Sequence, residues 1–123
     1  MGLFTVEEAA AELEALLPTL DEIVSLRADA AELAASLQPN GRATALGGLP
    51  EMKAAQARLD ELLTVVQQTG AELKGLAPLL VDFPADLEGV PVLLCWLEGD
   101  RRLSWYHRAD LGFTGRRPLK VPS

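Results

Sequence analysis

Two long stretches of apolar residues at three–four spacing, separated by a breaker-rich loop and closed by Gly70, constrain this chain more than any other feature. In the first, Leu13, Leu20 and Ala34 fall on a seven-residue spacing, as do Leu16, Ile23, Ala30 and Leu37, while Leu17, Val24 and Ala31 widen the stripe. In the second, Met52, Ala55, Leu59, Leu62, Val66 and Thr69 keep the spacing. This is the pattern of amphipathic helices. Gln38 to Pro50 holds Pro39-Asn40-Gly41 and Gly47-Gly48 and reads as a loop. Pro50 suits the first turn of the second helix and Gly70 its end. Residues 18–37 and 51–69 would each run about 30 Å at 1.5 Å per residue, so the spacing predicts an antiparallel helical hairpin. Two helices cannot cover so broad a stripe. A sheet, a second hairpin from another subunit, or both must complete the core.

Thr5-Val6-Glu7-Glu8 has the form of a capping box, which starts the first helix. Pro18 removes one amide donor and crowds the carbonyl four residues back. The expectation is a short opening helix to about Leu16, then a kink or restart with Pro18 in the first turn.

After Gly70 the pattern changes. Ala71 to Gly75 fits either a helix end or a short extended piece, and Leu79 to Phe83 reads as a strand stopped by Pro84. Val90 to Leu97 and the alternating Arg102 to His107 read as a hairpin turning through Glu98-Gly99-Asp100-Arg101, where Gly99 supplies a positive φ. Gly112, Gly115, Pro118 and Pro122 predict a largely irregular tail. The fold class is therefore α+β. One domain over 1–123 carries a helical hairpin to residue 70, then a small antiparallel β-sheet and a basic tail over 71–123.

At 123 residues the chain can bury a modest core, and no apolar run approaches the roughly 20 residues of a membrane span. The N-terminus has no basic start followed by an apolar block, so no secretion signal is expected, and one cysteine excludes an internal disulfide and fits a cytoplasmic setting. Residues 1–78 carry twelve acids and five bases, whereas residues 79–123 carry six of each. An acidic helical body with a basic tail invites docking of one on the other, within a chain or between chains. A solvated tail that keeps the protein soluble is the plainer alternative.

The residue types that carry specific chemistry sit in Leu79 to Leu119. Both tryptophans, the only tyrosine, the only histidine, the only cysteine and two of three phenylalanines lie there. Cys95 and His107 suit a thiolate–imidazole nucleophile or part of a metal site. A two- or four-residue turn at Gly99-Asp100 sets Cys95 against Ser104 and Val92 against His107, which puts Cys95 and His107 on opposite faces. A bulge in the turn would bring them to the same face. Cys95 otherwise reads as a buried apolar residue beside Trp96. His107, flanked by Tyr106, Arg108 and Asp110 and within reach of Asp82 on a neighbouring strand, could have its tautomer fixed by that carboxylate. Otherwise His107 is a hydrogen-bonded rim residue. Arg116-Arg117 suits carboxylate or phosphate groups, or clamps acidic groups of the protein itself. With Trp105 and Phe113 it could contact nucleic acid by stacking, but the net charge of −7 disfavours that partner. The candidate ligand site is Asp82, Trp96, Tyr106, His107, Arg116 and Arg117. The candidate ligands for a divalent metal are Asp82, Cys95 and His107.

Val81-Asp82-Phe83-Pro84, Leu94-Cys95-Trp96, Tyr106-His107, Gly112-Phe113 and Gly115-Arg116-Arg117-Pro118-Leu119 together resemble a bacterial family, the domain of unknown function 2203 family. Phe4 to Ala9 and Leu16-Leu17-Pro18 also resemble its opening, so the likeness covers nearly the whole chain. Asp100 stands where Glu usually follows the glycine, and Tyr106 where Trp usually precedes the histidine; both keep the chemical type. The resemblance implies a small cytoplasmic helical-hairpin protein and brings no reaction. The leading expectation is a non-catalytic interaction protein that forms a homodimer through its helices or docks another protein, with no membrane partner. The alternative is a metal- or small-anion-binding enzyme using Asp82, His107 and Cys95, with Arg116 or Arg117 orienting the substrate. An RNA-associated accessory protein is a third reading.

Overall fold

The computed structural model describes residues 3–37 and 46–120. Two helices, α1 (Val6–Leu37) and α2 (Leu49–Gln68), precede five strands: β1 (Glu72–Leu76), β2 (Leu79–Leu87), β3 (Val90–Leu97), β4 (Trp105–Arg108) and β5 (Arg117–Pro118). The strands form one antiparallel sheet in chain order. The α+β class is as the sequence predicts. The chain divides into two compact units, one of Met1–Leu17 with Val66–Ser123 and one of Pro18–Val65. The first turns of α1, with Ala9, Leu13 and Leu16 buried, belong to the unit that contains the sheet.

The capping box forms as expected: the Glu8 amide donates to Thr5 Oγ1 at 3.0 Å and the Thr5 amide to Glu8 Oε1 at 2.9 Å. The expected restart at Pro18 does not occur, for α1 runs through it for 32 residues. Pro18 and Glu14, four residues back, are both exposed, so the carbonyl left without its donor lies on the solvent side of the helix. Within the second unit Leu20, Ile23, Leu33, Ala55 and Leu62 are buried, and Arg58 of α2 meets Glu22 of α1 at 2.9 Å. Residues 38–45 of the expected loop lie outside the described residues. At its end the Gly48 amide donates to Glu51 Oε1 at 2.7 Å, which caps α2 with Pro50 in the first turn. Gly70 (φ 97°) follows α2 as expected.

The sheet decides one open reading and corrects three others, the first being that β4 begins at Trp105 and not at the expected Arg102, because residues 101–104 belong to the connection. Of Ala71 to Gly75, the residues from Glu72 onward are extended, in β1, with an irregularity at Lys74 where the register shifts between Leu73 and Gly75. β2 does not stop at Pro84 but continues to Leu87. Pro84 O accepts from the Phe4 amide at 2.8 Å, so the proline nitrogen points to that same edge and its missing donor costs β3 nothing. β2 and β3 then join through Glu88 (φ 52°) and Gly89 (φ 86°), a two-residue turn of the type that requires two positive φ values. The tail is more regular than expected, with a 3-10 turn at Phe113–Gly115 and β5 pairing with β4.

One face of the sheet carries Val81, Phe83, Ala85, Val92, Leu94 and Trp96, all buried, with Phe4 edge-on to Phe83 at 5.3 Å. This is the inner face, since Val6 of α1 shares a cleft with Val92 and Tyr106. Replacement of Pro18 by Ala should restore the α1 hydrogen bond and raise unfolding stability by up to about 3 kcal/mol. A urea titration in which Pro18→Ala lowers the midpoint would refute this reading of the helix.

Candidate functional site

The outer face of the sheet carries the unexpected chemistry. β2 pairs with β3 so that Asp82 faces Cys95, and β3 pairs with β4 so that Cys95 faces Trp105 and Leu93 faces His107. Cys95 and Trp105 thus enclose nine residues, 96 through 104, an odd number where the expected turn required an even one. That one-residue difference reverses the parity of β4. Cys95 and His107 lie on the same face, which overturns the register that set them apart. Asp82 joins them from the next strand. Pro84 fixes its own parity outward, and Asp82, two residues earlier, therefore forms with Cys95 a pair of the narrow kind, in which side chains approach most closely.

Asp82 is 1% exposed, Cys95 0% and His107 5%. Their ligand atoms all lie within 4.8 Å of one another. His107 Nδ1 is 2.9 Å from the carbonyl oxygen of Arg108, and a carbonyl only accepts, so Nδ1 carries the proton. His107 Nε2 then faces Asp82 Oδ2 at 3.3 Å. In the neutral imidazole that nitrogen is a lone pair opposite a carboxylate oxygen, and the pair is at rest only with a proton or a cation between them. The other oxygen, Asp82 Oδ1, is buried with no hydrogen bond of regular geometry among the described residues, while the Cys95 thiol donates to the carboxyl group. Burial pushes the Asp82 carboxyl above its ordinary range, against the pull of His107, of the Cys95 thiol's hydrogen bond and of Lys74 on β1. Burial also pushes the Cys95 thiol up to about 12, and the neighbouring Asp82 charge adds to this. A thiol held protonated is a poor nucleophile.

Arg116 borders the cluster. Its guanidinium carbon lies 4.5 Å over the Trp105 ring and 5.0 Å from the Phe113 ring, and Nη2 donates to Asp100 Oδ2 at 2.8 Å. Asp100 in turn accepts from the Leu97 amide at 3.1 Å, while its carbonyl takes the Trp96 indole N–H at 2.9 Å. The six-residue ligand site expected from the sequence is divided by the sheet. Asp82, His107 and Arg116 lie on the outer side, whereas Trp96 (opposite Val81) and Tyr106 (opposite Leu94 and Arg117) belong to the inner-face parity. Trp105 and Asp100 were the omissions. Trp105 stands two residues before His107 and so shares its face in any strand, which is the signal that finds it.

Asp82 binds its proton more tightly in the folded chain than in the unfolded one, because burial raises it. Stability conferred by that proton is present at low pH and is lost as pH rises from about 4 through the raised value. With a chelator present, Asp82→Asn should flatten this fall and raise the urea midpoint at neutral pH. An unchanged slope in the variant would contradict the assignment.

A family profile described as "Uncharacterized conserved protein (DUF2203)" matches residues 2–119. No curated protein and no solved structure matches the chain. The matched span includes Asp82, Cys95, His107 and Arg116, and the chain belongs to the DUF2203 family of uncharacterized conserved proteins.

Proposed function

We propose that this protein binds one divalent metal ion of the zinc class through Asp82, Cys95 and His107 on the outer face of its sheet. The observation that carries this reading is a buried carboxylate, thiol and imidazole whose ligand atoms all lie within 4.8 Å of one another, with Asp82 Oδ2 3.3 Å from His107 Nε2. A cation satisfies all of these acceptors at once. The donor set is one oxygen, one sulfur and one nitrogen, a mixture that suits a borderline-soft ion better than magnesium or calcium. The Arg108 carbonyl on Nδ1 orients the imidazole as an outer partner does in histidine metal sites. Ligand atoms around a tetrahedral ion stand roughly 3.5 Å apart for bonds of about 2.0–2.3 Å, so side-chain rotation can gather this set. Three protein ligands on a four-coordinate ion leave one position for water or another small ligand, the arrangement of catalytic rather than structural zinc. The Cys95 proton leaves on binding, so affinity rises with pH.

Calorimetry with chelator-treated protein and zinc chloride tests the reading. One equivalent should bind, more tightly at pH 8 than at pH 6.5, and His107→Ala and Cys95→Ser should each weaken binding at least about tenfold. Absence of stoichiometric zinc binding, or binding unaffected by both substitutions, would refute it.

Self-association is the second reading, and the helices favour it. In the Pro18–Val65 unit Val24, Leu26, Leu59 and Leu63 are only half-buried, and Val65 is 44% exposed. A second copy would cover such apolar side chains at the flanks of the buried helix faces. Sedimentation at micromolar concentration should return a dimer, and Val65→Lys should shift it toward monomer. A monomer at all concentrations would remove this reading.

A further inference from the structure

The outer face holds a cation that the metal triad does not use. Arg116 is fixed from three sides, by the Trp105 ring, the Phe113 ring and the Asp100 carboxylate, and its side chain is only 15% exposed. Those contacts occupy the guanidinium faces and Nη2, yet Nε–H is buried with no acceptor among the described residues. A fixed, charged donor without an acceptor is costly to maintain, and it marks where a ligand's acceptor belongs. Trp105 is the direct cross-strand neighbour of Cys95, so Arg116 stands beside the triad. Its charge reaches the Cys95 sulfur, where it acts against the effect of burial.

We infer that Arg116 is a positioning residue for a small carboxylate or oxyanion that takes the remaining coordination position of the metal, with Nε–H donating to the anion. This rests on the metal reading above. The chemistry is an oxygen anion held between a cation that coordinates it and a guanidinium that hydrogen-bonds it, the pairing that guanidinium groups serve best. The aromatic walls keep the guanidinium in place whether or not the anion is present, so no side-chain ordering is spent on binding. A neutral ligand at the same position gains nothing from Arg116. That difference separates a recognition role from a merely structural one.

The test uses the full chain loaded with cobalt(II), whose visible spectrum reports each change in coordination, titrated separately with acetate, inorganic phosphate and imidazole. In the wild type an oxygen anion should perturb the cobalt bands saturably. Arg116→Gln should weaken the anion at least about tenfold while imidazole affinity changes by less than about twofold. Arg116→Lys, which keeps the charge but not the fixed Nε–H, should fall between. Equal loss of anion and imidazole in both variants, or wild-type bands that respond to neither acetate nor phosphate, would overturn the inference while leaving the metal site standing. Failure of the wild type to bind cobalt at all would overturn both.

Discussion

The pairing of Asp82 with Cys95, and of Leu93 with His107, is the constraint on which the rest of this site depends. Side chains alternate faces along a strand, so a slip of one residue in β4 would carry His107 to the inner face. The register is defended from both sides. Inward, Phe83, Leu94 and Trp96 are buried at positions that cannot be exchanged for their neighbours without exposing them. Outward, Asp100 binds the Leu97 amide and Arg116 together, while its carbonyl holds the Trp96 indole. One turn residue thus ties the end of β3 to the segment that leads into β5.

A buried acid, thiol and imidazole form an expensive cluster for a small sheet to maintain. Full burial of an unpaired polar group costs about 1–3 kcal/mol, and more when the group is charged. Large half-buried neighbours, Leu80, Leu93, Leu97 and Trp105, share the outer face with the three polar groups. The same burial that makes the cluster costly would strengthen its hold on a cation. Arg116, stacked on Trp105, then places a positive charge at the border of that cluster rather than inside it.

Much of the fold was legible in the sequence, and the failures have specific causes. The capping box at Thr5, the start of α2 at Pro50 and the Gly99 turn (φ 100°) all follow from local chemistry, and all are present. Pro18 and Pro84 misled because proline propensity takes no account of which way the missing donor points. At Pro18 the orphaned carbonyl faces solvent, and at Pro84 the proline nitrogen faces the Phe4 edge. The site residues Asp82, Cys95 and His107 could be named from their types alone. Whether they met could not, because parity across the 96–104 connection is set by the packing of Trp96 and Leu103 and by Asp100, not by propensity. The division of Trp96, Tyr106 and Arg117 from Asp82 and Arg116 was hidden for the same reason.

The central claim is that these three side chains form one mixed-donor metal centre, and X-ray absorption at the zinc edge of zinc-loaded protein tests it most directly. The account predicts a first shell with one sulfur at about 2.3 Å and the remaining nitrogen and oxygen scatterers at about 2.0–2.2 Å. A shell of oxygen and nitrogen alone, with no sulfur, would place the metal elsewhere and contradict it.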